Sequence, residues 1–442
     1  MGLGCVCCKI SRLNRAKEHD KDPFSQEMKL LELEPAAPVY GGMCLSKKDG
    51  VIFVKGTLPG ERVIAELTES KRDYSIAQAV EILNASSDRV TPRCKDYNLC
   101  GGCHYQHISY ERQLSIKEEI LLDCLVRIGK MNEGGIPLKE TVFLNQWNYR
   151  NKAQFKISGG SEPEIGFYRE NSRHVIPISE CHLLNPVINK FLGKLTGARF
   201  LRGLREVQIL SGSNTIAYVK GEGVDESQLD FFLDIGFDAV VSDEGISAEK
   251  TFCVFESDTP AFTYTVSPMG FIQSNWAMNS LLIEKMLELL EPLEGKNILD
   301  VYGGGGNFAI PLSFSAHNVT VIEENRHSVE DGLRNIKLNN VKNVAFKTKP
   351  FEKHRSLQKY DIVIIDPPRS GLTNKAMETL KALSPVKIAY VSCNPSTFAR
   401  DAAKLMDMYE LLSVRLFDMF PNTYHAETLS VFELKNEPKL PK

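Results

Sequence analysis

The sequence predicts an α/β protein: its C-terminal part is a doubly wound, largely parallel sheet, preceded by a central mixed α+β segment and a small N-terminal β-barrel. Three observations carry this reading. From about Met269, strand-length apolar runs, most ending in polar residues, alternate with helical stretches: Ile298–Val301, Val319–Glu323, Ile362–Asp366 and Ile388–Ser392. Such runs belong to strands buried on both faces and joined by crossover helices. From about Glu27 to Ser87, short apolar runs are separated by turn signals at Gly41-Gly42, Lys48-Asp49-Gly50 and Leu58-Pro59-Gly60, the texture of a five-stranded barrel. From Tyr149 to Phe262, β-like runs such as Gln154–Ile157 and Val240-Val241 alternate with polar turns.

At 442 residues and 43% hydrophobic, the chain exceeds one ordinary core and supplies two or three domains. The expected limits are a disordered leader at 1–26, the barrel at 27–88, the central domain at 89–262 and the doubly wound domain at 263–442. No apolar run approaches the ~18 residues of a membrane span, and the N-terminus lacks the features of a secretory signal. A cytoplasmic, membrane-free protein is expected. Gly2 and the Cys5, Cys7, Cys8 group resemble a lipidation context, but Val6 stands where myristoylation wants Ser or Thr.

The net charge of −3 does not by itself advertise a nucleic-acid partner, because phosphate affinity comes from clustered Lys and Arg. Such clusters occur at Lys9, Arg12, Arg15 and Lys17, at Arg89, Arg93 and Lys95, and at Arg150, Lys152 and Lys156. The cysteines number eleven. In a cytosolic chain an odd count argues for metal ligation or catalysis by a subset rather than a disulfide framework.

In a doubly wound sheet, ligands bind beyond the carboxyl ends of the strands, so chemistry is sought at Asp300, Glu323, Asp366 and Cys393. Asp300 opens the loop Val301-Tyr302-Gly303-Gly304-Gly305-Gly306-Asn307-Phe308. Its glycines let backbone approach a nucleotide-like cofactor, and Glu323 ends the next strand, where ribose hydroxyls are bound. Asp300 at the head of that loop favours S-adenosylmethionine over NAD. Asp366-Pro367-Pro368-Arg369 presents a carboxylate on a stiffened strand exit, a motif of methyl transfer that leaves the acceptor open. Ser392-Cys393-Asn394-Pro395 ends a strand and opens a helix, and a helix N-terminus stabilises a nucleophilic thiolate. In the stretch Phe420 to Glu427, Glu427 is a candidate base and His425 a candidate orienting group. Upstream, Cys94, Cys100, Cys103 and Cys181 supply four thiolates, with Gly101 and Gly102 allowing a tight turn; zinc and an iron–sulphur cluster are both served by that set. A helix follows from about Tyr110 to Ile128, with apolar Leu114, Ile120, Leu121, Leu125 and Ile128.

Together with Phe271-Ile272-Gln273-Ser274-Asn275, these motifs resemble, in order and over residues 27–434, the RNA 5-methyluridine methyltransferase family, in its iron–sulphur branch. The resemblance implies a Rossmann-like methyltransferase domain and an OB-like barrel of TRAM type. It further implies Cys393 as nucleophile, Glu427 as base, and Gln273, Tyr302, Asn307, Glu323 and Asp366 as cofactor contacts. It makes Cys94, Cys100, Cys103 and Cys181 the ligands of a 4Fe-4S cluster that shapes the RNA surface, and it implies a monomer acting on RNA, with 23S rRNA favoured over the tRNA T-loop. Two departures stand out. Gly303 replaces a Cys common in relatives, with little expected consequence, and 347–352 lacks the Asp or Asn usually found near the adenine. The competing readings are an amino-methyltransferase, which leaves Cys393 and Glu427 without roles, and a noncatalytic RNA-binding or redox protein.

Overall fold

The computed structural model describes residues 29–243 and 252–435. The leader expected at 1–26, with Cys5, Cys7 and Cys8, lies outside the described residues. Strands β1 (Leu30–Leu33), β2 (Ala37–Val39), β3 (Met43–Ser46), β4 (Ile52–Lys55), β5 (Arg62–Ser70) and β6 (Ser75–Asn84) form one sheet in the order β1-β5-β6-β4-β3-β2. That is six strands rather than five. Alternation along β5 buries Val63 and Ala65 while exposing Arg62, the period of a half-buried strand.

The expected helix spans Tyr110–Arg127, but its inner stripe differs from the apolar prediction: Gln113 and Lys117 take buried places while Leu114 is only half-buried. The reason is polar partners across the interface. Gln113 Nε2 donates to the Tyr105 and Ile108 carbonyls at 3.1 and 3.0 Å, and Lys117 pairs with Asp418 at 2.5 Å. After β7 (Leu138–Val142), strands β8 (Lys152–Ile157), β9 (Ile165–Tyr168), β10 (Val175–Pro177), β11 (Leu204–Ser211), β12 (Thr215–Gly221) and β13 (Ala239–Ser242) form the central sheet in the order β10-β9-β8-β11-β12-β13. The amphipathic Pro186–Leu195 and Glu226–Asp234 helices bury Ile188, Leu192 and Phe232 with Phe155 and Val207 of that sheet. Strands β14 (Cys253–Asp258) and β15 (Ala261–Val266) form an antiparallel hairpin.

The C-terminal sheet comprises β16 (Asn297–Val301), β17 (Asn318–Glu323), β18 (Val344–Thr348), β19 (Ile362–Ile365), β20 (Lys387–Ser392), β21 (Tyr409–Phe417) and β22 (Glu427–Leu434), with β7 added at one edge. Its order is β18-β17-β16-β19-β20-β22-β21-β7. Five strands run parallel, while β22 is antiparallel to β20 and β21, so the sheet is mixed. Burial on both faces is the cause of the continuous apolar runs: Val363, Ile365 and Tyr390 enter one core, Ile362, Ile364 and Val391 the other. The expected limit at 262/263 falls inside β15, and β7 from the expected central segment joins this sheet. The shared register of β16, β17, β19 and β20 brings Val301, Glu323, Asp366 and Cys393 to one edge. No helix among the described residues is long and apolar enough to cross a membrane.

Candidate active site

One side of the site is built by the loop after β16. Tyr302, Gly304 and Gly306 adopt positive φ of 63°, 54° and 86°, turning backbone N–H groups inward. Glu323 fixes the turn by accepting from Gly304 N at 3.0 Å and from Asn325 N at 2.7 Å. A Cβ at Gly303 would lie 2.6 Å from Val321 Cγ1 and 2.7 Å from Asp300 Oδ2. A side chain here would force one of these neighbours to shift, against the expectation that this departure has little consequence. Gln273, Tyr302, Asn307 and Asp366 line one small pocket with Gly303, Gly304 and Gly305. Four of the five expected cofactor residues are thus brought together; Glu323 reaches the pocket through the Gly304 amide. Phe351 packs on Tyr302 at 6.3 Å between ring centres, placing an apolar side chain in the stretch that lacks an Asp or Asn.

Asp300 is fully buried and neither carboxylate oxygen has a partner. Burial, then Asp366 and Glu323, push its carboxyl well above the usual range, and burial raises Asp366 as well. Three carboxyls around one pocket suit a cationic ligand, whose charge would relieve that repulsion; the diphosphate of a dinucleotide would add to it. The orphaned Asp300 oxygens and the glycine cradle fit S-adenosylmethionine, which carries a sulfonium and an ammonium group.

The other side is built around Cys393. The antiparallel register pairs Ser392 with Thr428, so Cys393 and Glu427 stand opposite one another at the next step. Asn394 caps the Pro395–Leu405 helix by accepting from Ser396 N at 3.0 Å, and its Nδ2 donates to the Arg369 carbonyl at 3.3 Å. The helix N-terminus does not dominate the thiol. Burial, then Glu427 and Asp366, push it up to about 12, against the opposing pull of Arg369 and its own backbone amide. Desolvation and two carboxyls thus oppose the ionisation that the helix N-terminus was expected to ease. Glu427 is buried and raised by the same burial and by Asp366. His425 is pushed down to about 2 by burial and by Arg369, so it is neutral; its ring packs 4.3 Å from Tyr424 and 5.9 Å from Phe420 rather than bonding Glu427.

Four contributors were not foreseen. Lys117 donates to Asp418 and to the Phe420 carbonyl, at 2.5 and 3.1 Å, and Gln113 receives Asn422 N at 2.9 Å, so a distant helix holds the loop that carries Glu427. The Arg369 side chain acts on Cys393, Glu427 and Tyr424 alike. The Tyr40 hydroxyl donates to the Cys393 carbonyl at 3.1 Å. Only Arg369 had a sequence signal, its place directly after Asp-Pro-Pro.

Beside this site opens a cleft of about 1670 Å³. Lys55, Lys71, Arg150, Lys152, Lys156, Arg169, Arg173, Arg369 and Arg400 line it with Tyr40, Tyr74, Tyr168 and Tyr424, a cationic and aromatic combination suited to single-stranded nucleic acid. Arg150, Lys152 and Lys156 of one basic cluster line it, with Lys156 paired to Glu206, whereas Arg89 of another cluster is committed to Glu61 at 2.6 Å. Cys94, Cys100, Cys103 and Cys181 line the same cleft, with Cys103 Sγ accepting from Gln106 Nε2 at 3.2 Å. Burial, then neighbouring thiols among other groups, push Cys100 up to about 11 and Cys103 up to about 12. Among the described residues no group of three or more His, Cys, Asp or Glu is arranged to hold a metal ion, yet four thiols converging on one cleft have the donor chemistry of a four-thiolate centre.

Residues 253–435 match the family model described as tRNA (Uracil-5-)-methyltransferase. The 23S rRNA (uracil(1939)-C(5))-methyltransferase RlmD of Methylococcus capsulatus is 33% identical over 440 residues, covering 90% of this chain and 98% of that protein. An uncharacterized RNA methyltransferase of Aquifex aeolicus is 34% identical over 436 residues, covering 92% and 99%. In fold, the chain is similar to the crystal structure of Pyrococcus abyssi tRNA (uracil-54, C5)-methyltransferase in complex with S-adenosyl-L-homocysteine, with a TM-score of 0.73 at 24% identity, over 91% of this chain and 100% of that one. With relatives this similar along nearly its whole length, the chain belongs to the S-adenosylmethionine-dependent RNA 5-methyluridine methyltransferase family.

Proposed function

We propose that this enzyme methylates carbon 5 of a uridine in 23S rRNA, with Cys393 as nucleophile and Glu427 as base. The observation that carries the reading is the facing pair Cys393 and Glu427 beside the carboxyl-lined glycine pocket. Gln273, Tyr302, Asn307, Glu323 and Asp366 hold S-adenosylmethionine, which supplies an electrophilic methyl group. Carbon 5 of uracil is too weak a nucleophile to take it unaided. The Cys393 thiolate adds to carbon 6, carbon 5 gains enolate character and takes the methyl as its bond to the sulfonium sulfur breaks, leaving S-adenosylhomocysteine, and Glu427 then takes the carbon 5 proton as the thiolate leaves. Arg369 offsets the carboxyls when the thiol ionises. A stacked target uridine is first flipped into the pocket.

The rRNA assignment rests on the identity to relatives named for 23S rRNA. The segment 27–88 serves as an OB-like barrel of TRAM type gripping folded RNA, with the central domain at 89–262 and the methyltransferase domain at 263–442. Cys94, Cys100, Cys103 and Cys181 hold a 4Fe-4S cluster that ties these parts together and shapes the RNA surface. The protein works as a monomer in the cytoplasm. A tRNA substrate is the second reading, favoured by the description of the matching family model.

Incubation with labelled S-adenosylmethionine and separately purified, unmodified 23S rRNA and tRNA tests the substrate and the roles together. Label should enter 23S rRNA as 5-methyluridine, Cys393→Ala should abolish it, and Glu427→Gln should lower it about 10²–10⁴-fold while a denaturation-resistant protein–RNA adduct accumulates. Labelling of tRNA alone would overturn the rRNA assignment, and an active Cys393→Ala enzyme the mechanism. Anaerobically purified protein should be brown with about four iron atoms per chain, and replacing Cys100 or Cys103 should bleach it; zinc without iron after iron-supplemented expression would decide for zinc.

A further inference from the structure

The N-terminal sheet does more than lie beside the cleft. Its turn between β2 and β3, Tyr40-Gly41-Gly42, presses into the catalytic loop. Gly41 and Gly42 have φ of 112° and 81°, and a Cβ on Gly42 would stand 3.0 Å from His104 Cβ and 3.4 Å from Tyr424 Cδ1. Only glycine allows that approach. The close fit delivers Tyr40: its hydroxyl donates to the Cys393 carbonyl at 3.1 Å, and its ring meets Tyr424 edge-on at 5.2 Å. Tyr424 in turn packs on His104 at 4.5 Å, and the His104 and Tyr105 amides donate to the Asn422 carbonyl at 2.9 and 3.1 Å. Tyr40, Tyr424, His425, Arg369 and Asn394 face the same cleft.

The backbone around Cys393 is thus held from two directions. On its C-terminal side, Asn394 caps the helix and bonds the Arg369 carbonyl. The Cys393 carbonyl, in the same peptide as the Asn394 amide, is held by a hydroxyl from a turn 353 residues earlier in the chain. An unheld carbonyl at this position could rotate and carry the thiol away from Glu427.

We propose that Tyr40 is a positioning residue for the nucleophile, so that the N-terminal sheet completes the uridine side of the active site as well as binding RNA. Its hydroxyl fixes the peptide that aims Cys393, and its ring backs Tyr424 at the pocket mouth. The inference rests on the role of Cys393 proposed above.

Steady-state methylation by the full-length protein, with RNA and S-adenosylmethionine varied in turn, tests it. Tyr40→Phe keeps the ring and removes one hydrogen bond, a change that translates into a loss of about three- to tenfold in kcat. KM for both substrates should stay within about twofold, a split that a residue merely gripping RNA would not give. Tyr40→Ala, which also removes the support of Tyr424, should lose at least as much kcat. Unchanged kcat in Tyr40→Phe, or a loss confined to KM for RNA in either variant, would overturn the inference. A wild-type enzyme that makes no 5-methyluridine would instead sink the functional reading itself, so the two failures are distinguishable.

Discussion

The two sides of the candidate active site, the proposed cofactor side and the proposed uridine side, are built by different means. On the cofactor side, a single continuous loop, Asp300 to Phe308, makes most of the pocket, and Glu323 closes it from the adjacent strand. Backbone geometry shapes that loop. On the uridine side, Cys393 and Glu427 come from separate strands and are held by Tyr40, Gln113, Lys117 and Arg369, drawn from across the chain. Long-range side chains decide that half. A backbone-built pocket should fail when a side chain is added, and a side-chain-built one when a side chain is removed.

The largest effect is expected from Lys117→Met. Lys117 and Asp418 are both fully buried and paired at 2.5 Å; burial lowers the lysine and Asp418 pulls it back. Removing the cation leaves a buried carboxylate with only the Tyr110 hydroxyl at 2.9 Å, which costs about 3–5 kcal/mol. Urea unfolding should register that loss. In the folded fraction methyl transfer should fall because the Phe420 carbonyl loses its anchor, while cofactor affinity measured by calorimetry should stay within about twofold. A matching loss of cofactor affinity would mean that the two sides are one mechanical unit.

Gly303→Ala is the converse. The added methyl meets Val321 and Asp300, an overpacking of about 1–3 kcal/mol, and should weaken cofactor binding by about tenfold. The uridine side should keep its shape, so Cys393 should react with iodoacetamide at the wild-type rate. Unaltered cofactor affinity would show that the loop yields more readily than its contacts imply.

The same division explains what the sequence made legible. Strand runs, the glycine loop and the strand end that precedes Cys393 could be read because each is a local pattern. The sixth N-terminal strand, the insertion of Leu138–Val142 at the sheet edge and the inward Gln113 and Lys117 could not, because each depends on a partner far along the chain. Gln113 and Lys117 read as solvent-facing until Asn422 and Asp418 are known to lie opposite. The ease of ionising Cys393 was misjudged for a similar reason: the helix dipole is local and visible, whereas burial and the approach of Glu427 and Asp366 are tertiary.

That last point yields the smallest effect and the sharpest probe of the uridine side. A thiol pushed up to about 12 is only about 10⁻⁴ thiolate at pH 8. Alkylation of Cys393 in the RNA-free protein, measured against a Cys393→Ala blank, should therefore rise about tenfold per pH unit from pH 7 to 9 without a plateau. Thiolate is the charged form, so a cation nearby lowers the pKa and its removal raises it. The Arg369 cation acts on the thiol, and Arg369→Gln should move the profile upward by about one pH unit, slowing alkylation about tenfold at fixed pH. A plateau below pH 8 in the wild type would mean that the free protein already carries the thiolate, and the uridine side would then be preformed like the cofactor side.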